Sequence, residues 1–298
     1  MTLTAGCLFV QRETPLSNTS SSFNWDELFF QTHDDNLEPN QRWSTWGSIE
    51  RLCRGPEPWP DWLVTQDAID TDLGVLKTGK EADVSLLERT ALDDPGHTCL
   101  LAAKRYRSTG HRLFHRDSGY TEGRRIRNTR DTRAMARKSG HGREVEAGLW
   151  ANAEWGALKR LHTAGVPVPY PVQIDGGEIL MEYITDGEGA APRLHQTRPS
   201  PTELESLFEQ LLSSLLTMAG LGVVHGDLSP YNTLVTGVGS GDPRLVIIDV
   251  PQLVDLYANP NADSFLQRDC ANMAAWFTAK GCAVDADELF SEVVSQAW

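Results

Sequence analysis

The sequence predicts an α+β fold of two lobes, a small β-rich N-terminal lobe followed by a mainly helical C-terminal lobe. Three observations favour this fold. Short apolar and β-branched runs alternate with turn residues as far as residue 184, which is typical of strands. Polar residues dominate the segment 185–200, as in a linker. Longer stretches compatible with helices follow at 201–221, 270–280 and 285–298.

The N-terminal residues divide into a polar part and an aromatic part. Residues 1–40 are rich in Ser, Thr, Asn, Asp and Gln, which predicts a mobile tail. Five tryptophans fall between Trp25 and Trp62, and aromatic side chains at this density favour packing over disorder. Residues 41–71 are therefore expected to form a Trp-rich extension that packs on the domain after it.

The expected N-terminal lobe, residues 72–184, begins with a turn suited to phosphate. From Leu76 to Leu87 the pattern is strand, tight turn, strand, and Gly79 lets the backbone of the turn approach a phosphate closely. A further strand is predicted over Cys99–Tyr106 and carries Lys104 near its end. A buried lysine needs a partner, such as a phosphate and a carboxylate. The alternative is that Lys104 merely begins the basic segment that follows.

A helix is predicted from Trp150 to His162, because apolar residues recur there at three- and four-residue steps. Glu154 lies within that apolar stripe, where a carboxylate needs a cation. Pairing with Lys104 would give the lysine–glutamate pair that positions nucleotide phosphates in kinases. The alternative is a surface glutamate paired within its own helix. The next predicted strand leads into the linker, which places backbone groups of Glu182 and Ile184 to bond an adenine.

A basic segment precedes this helix. From Lys104 to Arg143 the chain holds thirteen basic and three acidic residues, or +10, against −24 elsewhere and a net charge of −14. Such a segment is usually a solvated loop, and a basic flexible loop is predicted over 105–148. The charge of residues 104–143 also suits contact with RNA phosphate or with an acidic partner.

Asp227, Asn232 and Asp249 form the most informative pattern of the chain. Asn232 follows Asp227 by five positions, and Asp249 follows it by 22 at the end of a β-branched run. Phosphoryl transfer needs a carboxylate that orients the attacking hydroxyl and side chains that hold magnesium. Asp227 suits the first task, and Asn232 and Asp249 suit the second. Singly, Asp227 could instead cap a helix and Asp249 could end a strand, but their joint spacing favours the catalytic interpretation.

Several motifs over residues 72–282 resemble those of the RIO family of atypical protein kinases, nearest the subfamily of the first-named RIO kinases. Those motifs are Lys77-Thr78-Gly79-Lys80-Glu81-Ala82, Glu154-Trp155-Gly156-Ala157-Leu158, Gly165-Val166-Pro167-Val168-Pro169, His225-Gly226-Asp227-Leu228-Ser229-Pro230-Tyr231-Asn232, Ile248-Asp249-Val250-Pro251-Gln252 and Phe265-Leu266-Gln267-Arg268-Asp269-Cys270-Ala271-Asn272. The last two are the most specific. Lys77 and Asp83 depart from the family, which usually has Ser and Asn there.

The resemblance implies a two-lobed, protein-kinase-like fold of RIO type without a full activation segment, its C-terminal lobe spanning 185–298. It implies ATP and Mg²⁺ or Mn²⁺ as ligands, and a protein substrate that includes the chain itself. Serine/threonine phosphorylation and plain ATP hydrolysis both occur in the family, the latter through an aspartyl phosphate for which Asp249 would be the acceptor. Contact with the ribosome is a role of some relatives.

The resemblance also implies residue roles. The catalytic residues would be Asp227, Lys104 and Asp249, and the metal ligands would be Asn232 and Asp249. The nucleotide-binding residues would be Thr78, Gly79, Lys80, Glu81, Lys104, Glu154, Glu182 and Ile184.

Composition limits the other classes of function. No window approaches the roughly 20 apolar residues that cross a bilayer, so no membrane contact is expected. The five cysteines are dispersed without a C-x-x-C pair, which argues against structural zinc and a disulfide framework. The cytoplasm is the default location.

Two other functions remain open at this point. Aminoglycoside and choline kinases share the H-G-D-x-x-x-x-N pattern, although they lack the T-G-K-E-A loop and continue differently after Asp249. A nucleotide-dependent binding switch that docks through the basic loop is the second. The presence of all the catalytic residues argues against a purely non-catalytic module.

Overall fold

A computed structural model of the chain describes residues 37–107, 140–250 and 253–297, and only the backbone of residues 140–146. The expected mobile tail, residues 1–40, therefore lies almost wholly outside the described residues, as does the greater part of the basic segment. The described residues from position 40 onward form one compact unit, and the description below concerns that unit.

The N-terminal lobe is built on a six-stranded antiparallel sheet in the order β1-β2-β3-β4-β6-β5. The strands are β1 (Gln41–Trp43), β2 (Ala68–Thr78), β3 (Ala82–Ala91), β4 (Thr98–Tyr106), β5 (Pro171–Asp175) and β6 (Glu178–Glu182). Helix α1 (Gly140–Thr163) lies between β4 and β5 in the chain and packs on both. This lobe agrees with the β-rich N-terminal lobe predicted from the sequence.

The Trp-rich segment is part of this lobe. Strand β1 pairs with β2, with Gln41 opposite Thr71, so the boundary expected at residue 72 falls inside β2. The ring of Trp46 is buried and meets Trp59 edge to face, with centroids 5.2 Å apart. These rings join an apolar cluster that includes Leu101 of β4. The sequence did not indicate that β2 begins at Ala68, because its early residues include a charged side chain, Asp70, that is buried against Arg89.

Helix α1 is longer than expected, since it begins at Gly140 and not near Trp150. The expected loop 105–148 is therefore wrong at both ends: residues 105–106 belong to β4, and 140–148 are helical. Charged and small residues at 143–148 have good helix propensity but carry no clear apolar stripe. The stripe was the signal from which the helix was predicted, so the first turns were missed.

The C-terminal lobe is mainly helical, as predicted. Its helices are α2 (Pro201–Gly220), α3 (Ala262–Lys280) and α4 (Ala286–Ala297). Its short strands are β7 (Thr185–Asp186), β8 (Gly189–Ala190), β9 (Val223–Val224), β10 (Thr233–Thr236), β11 (Arg244–Ile247) and β12 (Val254–Asp255). A 3₁₀ turn lies at Leu194–Gln196 in this lobe, and another lies at Arg51–Cys53 in the N-terminal lobe. The expected linker 185–200 thus contains a small β7–β8 hairpin. Helix α3 begins at Ala262, earlier than the expected 270.

Helix α2 organises the core of this lobe. Leu204, Leu207, Leu211 and Leu215 recur at three- and four-residue steps and are all buried. Each fully buried leucine contributes about 1.5–3 kcal/mol from removal of its apolar surface from water. The helix thereby fixes the start of the segment β9–β11 that carries the functional motif. None of the described helices is both long and apolar enough to span a membrane.

Candidate active site

A cavity of about 590 Å³ lies between the sheet and the β10–β11 region, within the size range of small-molecule sites. One part of its wall is apolar and is formed by Val84, Ala102, Met181, Leu234 and Ile248. Such a wall suits a flat heterocycle. None of these residues was assigned to a nucleotide site from the sequence, although the alternation of apolar residues in the strands was the signal that could have identified them.

The structure brings most of the sequence-predicted residues to this cavity. Those that line it are Gly79, Lys80, Glu81, Lys104, Glu154, Glu182, Ile184, Asn232 and Asp249. Thr78 does not line it, because its hydroxyl is directed to Asp83 across the turn. Asp227 is exposed just outside the lining and reaches the cavity through Asn232.

The turn between β2 and β3 is tight enough to require glycine. The amide of Gly79 donates to the carbonyl of Ala82 at 2.9 Å. A Cβ at position 79 would lie 2.7 Å from that same oxygen, well inside contact distance. Gly79 lines the cavity together with Lys80 and Glu81, so the tight turn passes next to it, as expected of a phosphate-binding turn.

Lys104 joins the two lobes at the centre of the cavity. Its Nζ donates to Glu154 Oε1 of α1 at 2.7 Å and to Asp249 Oδ1 at 2.8 Å. Burial alone would lower the pKa of Lys104, but the two carboxylates outweigh it and raise the pKa, so the side chain is a cation. The predicted Lys104–Glu154 pair is thus present. Asp249 is a partner that the sequence did not indicate.

Tyr106 is a further member of this cluster that the sequence analysis missed. Its hydroxyl donates to Glu154 Oε2, so both oxygens of this carboxylate, in a residue only 1% exposed, are bonded. Lys104 Nζ lies 5.5 Å from the centre of the Tyr106 ring, within reach of a cation–π contact. Burial, and then the charge of Glu154, raise the pKa of Tyr106, which keeps the phenol protonated.

Asp227 and Asn232 lie in a turn, not in a helix, so the capping interpretation does not apply. The side-chain amide of Asn232 donates to the backbone carbonyl of Asp227 at 2.9 Å and to its Oδ2 at 3.2 Å. The β10–β11 hairpin pairs Thr233 with Ile247, and Ile248 N donates to the carbonyl of Asn232. This register places Asp249 beside Asn232.

The backbone of Asp249 is unusual. Its φ of 63° makes it the one non-glycine residue with positive φ in the described part of the chain. Such conformations cost of order 1–3 kcal/mol and occur preferentially at functional sites. Desolvation would raise the pKa of Asp249, but Lys104 outweighs it and lowers the pKa, so the carboxylate is ionised. Its side chain is 41% exposed, which leaves Oδ2 accessible from the cavity.

Helix α3 supports the turn from behind through Asp269, a residue to which the sequence analysis gave no role. Asp269 is 0% exposed and accepts hydrogen bonds from Gly226 N at 2.7 Å and from Leu228 N at 2.8 Å. Burial raises the pKa of Asp269 to about 7, despite these two amides. His225 is also buried. Burial lowers its pKa, and the neutral ring accepts from Asp227 N and bonds to the carbonyl of Ile248.

The hinge between the lobes offers fewer backbone groups than expected. The amide of Glu182 donates to the carbonyl of Tyr170 at 2.9 Å, and the carbonyl of Ile184 accepts from Ala191 N at 3.0 Å. The Ile184 amide has no backbone partner among the described residues. Of the groups expected to meet an adenine, the Ile184 amide is therefore the available donor.

The donor set fits a hard divalent cation. Asn232 uses its amide nitrogen toward Asp227, which turns its Oδ1 away, and Asp249 keeps Oδ2 accessible. Amide and carboxylate oxygens are what Mg²⁺ prefers, usually with substrate phosphates completing its coordination. No group of three or more His, Cys, Asp or Glu residues within the described ranges forms a cation site by itself.

Comparison with known proteins decides the family. A family model described as the RIO domain matches residues 101–289, more than half of the chain. The chain belongs to the RIO family. It is 33% identical over 232 residues to the RIO-type serine/threonine-protein kinase Rio1 of Haloferax volcanii, covering 78% of this chain and 71% of that protein. It is 32% identical over 229 residues to the serine/threonine-protein kinase RIO1 of Chaetomium thermophilum, covering 74% of this chain but 41% of that protein.

A solved structure of a RIO kinase shares the fold. A crystal structure of the Rio2 kinase–ADP/Mg²⁺–phosphoaspartate complex from Chaetomium thermophilum aligns with a TM-score of 0.50 and 21% identity, over 75% of this chain and 62% of that one. The two-lobed, RIO-type α+β fold predicted from the sequence is confirmed. The chain is a RIO-type protein kinase.

Proposed function

We propose that this RIO-family chain transfers the γ-phosphoryl group of ATP to a serine or threonine hydroxyl of a protein, including its own, and that water competes as acceptor. The observation that carries the proposal is one connected set of side chains at the cavity. Glu154, Lys104 and Asp249 are joined by hydrogen bonds, and Asn232, beside Asp249, is joined to Asp227. This set contains the groups that phosphoryl transfer requires.

The nucleotide would lie with its adenine between the apolar residues of the two lobes and with its phosphates under the β2–β3 turn. The Ile184 amide would donate to the adenine, and Glu182 would contribute through its backbone. Gly79, Lys80 and Lys104 would meet the phosphates. Glu154 would hold Lys104 in place, because a lysine fixed by a carboxylate loses less freedom when a phosphate binds.

Asp227 would act on the acceptor. Its exposed carboxylate is steadied at Oδ2 by Asn232 at 3.2 Å, which leaves Oδ1 to accept the proton of an incoming hydroxyl. The hydroxyl oxygen then forms a bond to the γ-phosphorus while the bond from that phosphorus to the β,γ-bridging oxygen breaks, and ADP leaves with the electron pair. Asn232 Oδ1 and Asp249 Oδ2 would hold Mg²⁺ or Mn²⁺, which when bound neutralises charge on the phosphates.

A labelling experiment tests the assignment. The purified chain is incubated with γ-labelled ATP and Mg²⁺, and label on protein and free phosphate are followed together. Asp227→Asn should lose at least about 100-fold in phosphoryl transfer while it still binds ATP. Asp242→Asn is the matched control, because Asp242 is an exposed carboxylate, with a side chain 79% exposed, outside the cavity lining. Unchanged turnover in Asp227→Asn would overturn the assignment.

The same experiment separates protein phosphorylation from ATP hydrolysis. Acid-stable label on serine or threonine, absent in Asp227→Asn, supports a protein kinase. Free phosphate together with acid-labile protein label that Asp249→Asn removes would support an ATPase acting through an aspartyl phosphate at Asp249. Transfer to an aminoglycoside or choline, with no label on protein, would instead favour the small-molecule phosphotransferase.

Three further expectations remain proposals. The basic segment 104–143, apart from Lys104, which is paired inside the cavity, is proposed to contact RNA or an acidic ribosomal partner, because the segment carries +10 in an otherwise acidic chain. Salt-dependent RNA binding that a charge-reversed segment loses would support this contact. Use of Mn²⁺ in place of Mg²⁺ and a cytoplasmic location are likewise inferred from the sequence alone.

A further inference from the structure

The rim of the cavity carries a cation that the proposed mechanism does not use. Lys77 lines the cavity from the end of β2, is exposed, and has no salt bridge within the described residues, whereas Lys104 has two. An exposed, unpaired lysine is ordinarily a solvated surface residue. Lys77 differs from such a residue, because the backbone of β2 directs its side chain toward the cavity.

A β-bulge aims Lys77 at the cavity. Val75 pairs with Ser85, but Lys77 pairs with Val84, so Leu76 is an extra residue on β2. Without that bulge Lys77 would lie opposite Asp83, on the other face of the sheet. Residues directly opposite in an antiparallel pair share a face, and Val84 lines the cavity. Bulges commonly redirect a side chain next to an active site.

The charge of the lining depends on Lys77. The charged residues of the lining comprise four cations and four anions: Lys77, Lys80, Lys104, Arg193, Glu81, Glu154, Glu182 and Asp249. Their sum is 4 − 4 = 0 with Lys77 and 3 − 4 = −1 without it. Lys104 is already shared between two carboxylates. Lys77 and Asp249 line the same cavity, and the two opposite charges are near enough to interact.

We infer that Lys77 is an additional phosphate-binding residue, which makes the affinity of this site depend on the number of phosphates of the nucleotide. The inference rests on the proposed function, because it places a nucleotide in the same cavity. Lys77 would contact the outer phosphates from the rim, on the side of Asp249, while Lys104 contacts the phosphates from within. Its ammonium adds attraction for a ligand whose charge grows with each phosphate.

Binding of four ligands to variants of the full chain tests this inference. The ligands are ATP, ADP, AMP and adenosine, each with Mg²⁺, measured by calorimetry. Lys77→Met keeps the aliphatic stem and removes the charge, and it should weaken ATP binding about three- to tenfold, ADP less, and AMP and adenosine not at all. Lys77→Arg should restore most of the ATP affinity. Wild-type affinity for ATP should also fall more steeply with salt than that of Lys77→Met.

The control and the contrary outcomes separate this inference from the proposed function. Arg244→Met removes one exposed positive charge outside the cavity lining and should leave all four affinities unchanged. The inference is wrong, while the proposed function stands, if the wild type binds ATP and Lys77→Met binds it equally well. The same holds if Lys77→Met loses as much affinity for adenosine as it loses for ATP. If the wild type binds none of the nucleotides, the proposed function fails, and the inference fails with it.

Discussion

At the scale of single residues, the site is a series of buried or half-buried polar side chains, each of which is hydrogen-bonded to a neighbour in the series. Glu154 is the centre of this chain, because its two oxygens receive Lys104 Nζ and the Tyr106 hydroxyl. A buried carboxylate is costly unless its acceptor positions are filled. Tyr106 therefore contributes to the orientation of Lys104, although the proposed mechanism gives Tyr106 no contact with the phosphates.

Replacement of Tyr106 by Phe tests this role. The ring and its contact with Lys104 remain, but Glu154 Oε2 loses its donor, and an unmet buried acceptor costs about 1–3 kcal/mol. We expect a lower free energy of unfolding in urea and a higher KM for ATP. Tyr257→Phe is the matched control, because it removes a hydroxyl bonded to the Ala297 carbonyl in a residue that is 60% exposed. An unchanged KM in Tyr106→Phe would show that Tyr106 serves packing alone.

At the scale of elements, two helices hold the catalytic turn and its neighbouring loop through acidic side chains. Asp269 of α3 binds the backbone on either side of Asp227. Glu203 of α2 closes a capping box with Ser200 and also accepts from Gly239 N at 2.6 Å in the β10–β11 loop. Each helix thus fixes a segment that has little regular structure of its own. The fold raises the pKa of Asp269 and lowers the pKa of Glu203, so the two carboxylates affect stability in different pH ranges.

Asp269→Asn should destabilise the turn and remove a pH dependence. Its pKa is raised from 3.8 to about 7 by burial, so the folded state keeps a proton that the unfolded state has lost. The wild type should therefore lose stability as pH rises between these values, and the variant should lose less. The asparagine side chain has one acceptor oxygen where the carboxylate has two. One of the two backbone N–H groups therefore loses its acceptor, at a cost of about 1–3 kcal/mol. Urea unfolding across this pH range tests the prediction, with Asp263→Asn of the same helix as the control.

Glu203→Gln should act at acid pH. Backbone and side-chain bonds from Ser200 and the Gly239 amide lower the pKa of Glu203 from 4.5 to about 2. The resulting stability is complete above the higher value and is lost as pH falls toward the lower one. Thermal unfolding in this window should therefore be less pH-dependent in the variant. Glu209→Gln, at an exposed position of the same helix, should keep the wild-type profile, and identical profiles in both variants would contradict the assignment.

At the scale of the whole molecule, the cavity draws its walls from both lobes, and Lys104 to Asp249 is a direct bond between them. A ligand that fills the cavity must therefore stabilise both lobes together. ATP with Mg²⁺ at 100 times its dissociation constant should add about 2.7 kcal/mol, and should raise the melting temperature by several degrees.

Lys104→Met provides the test of this coupling. The variant loses its contacts to Glu154 and Asp249 and the proposed contact to the phosphates, so its melting temperature should respond much less to ATP and Mg²⁺ than that of the wild type. Arg244→Met should respond like the wild type, because Arg244 does not line the cavity. Differential scanning fluorimetry with and without nucleotide makes the comparison. An equal nucleotide-induced shift in Lys104→Met and the wild type would contradict a role for Lys104 in nucleotide binding.

The sequence by itself determined the fold class, the order of the lobes and the residues with the proposed chemistry. It did so because local rules govern those features: the spacing from Asp227 to Asn232 fits one turn, a β-branched run before Asp249 forms a strand, and an apolar stripe around Glu154 forms a helix. The same reasoning failed where no local signal exists. The early part of β2 carries Asp70, whose partner Arg89 lies on the next strand, and the residues that begin α1 show no apolar stripe in the sequence.

Only the tertiary structure decided which of these groups meet. The bond from Lys104 to Asp249 joins residues 145 positions apart, and Asp269 reaches Gly226 across 43. The direction of Lys77 depends on a bulge. The hinge groups available to adenine depend on the bond from the Glu182 amide to the Tyr170 carbonyl and on the bond from the Ala191 amide to the Ile184 carbonyl. Burial, strand register and contacts between lobes arise when the chain packs, and no local pattern in the sequence encodes them.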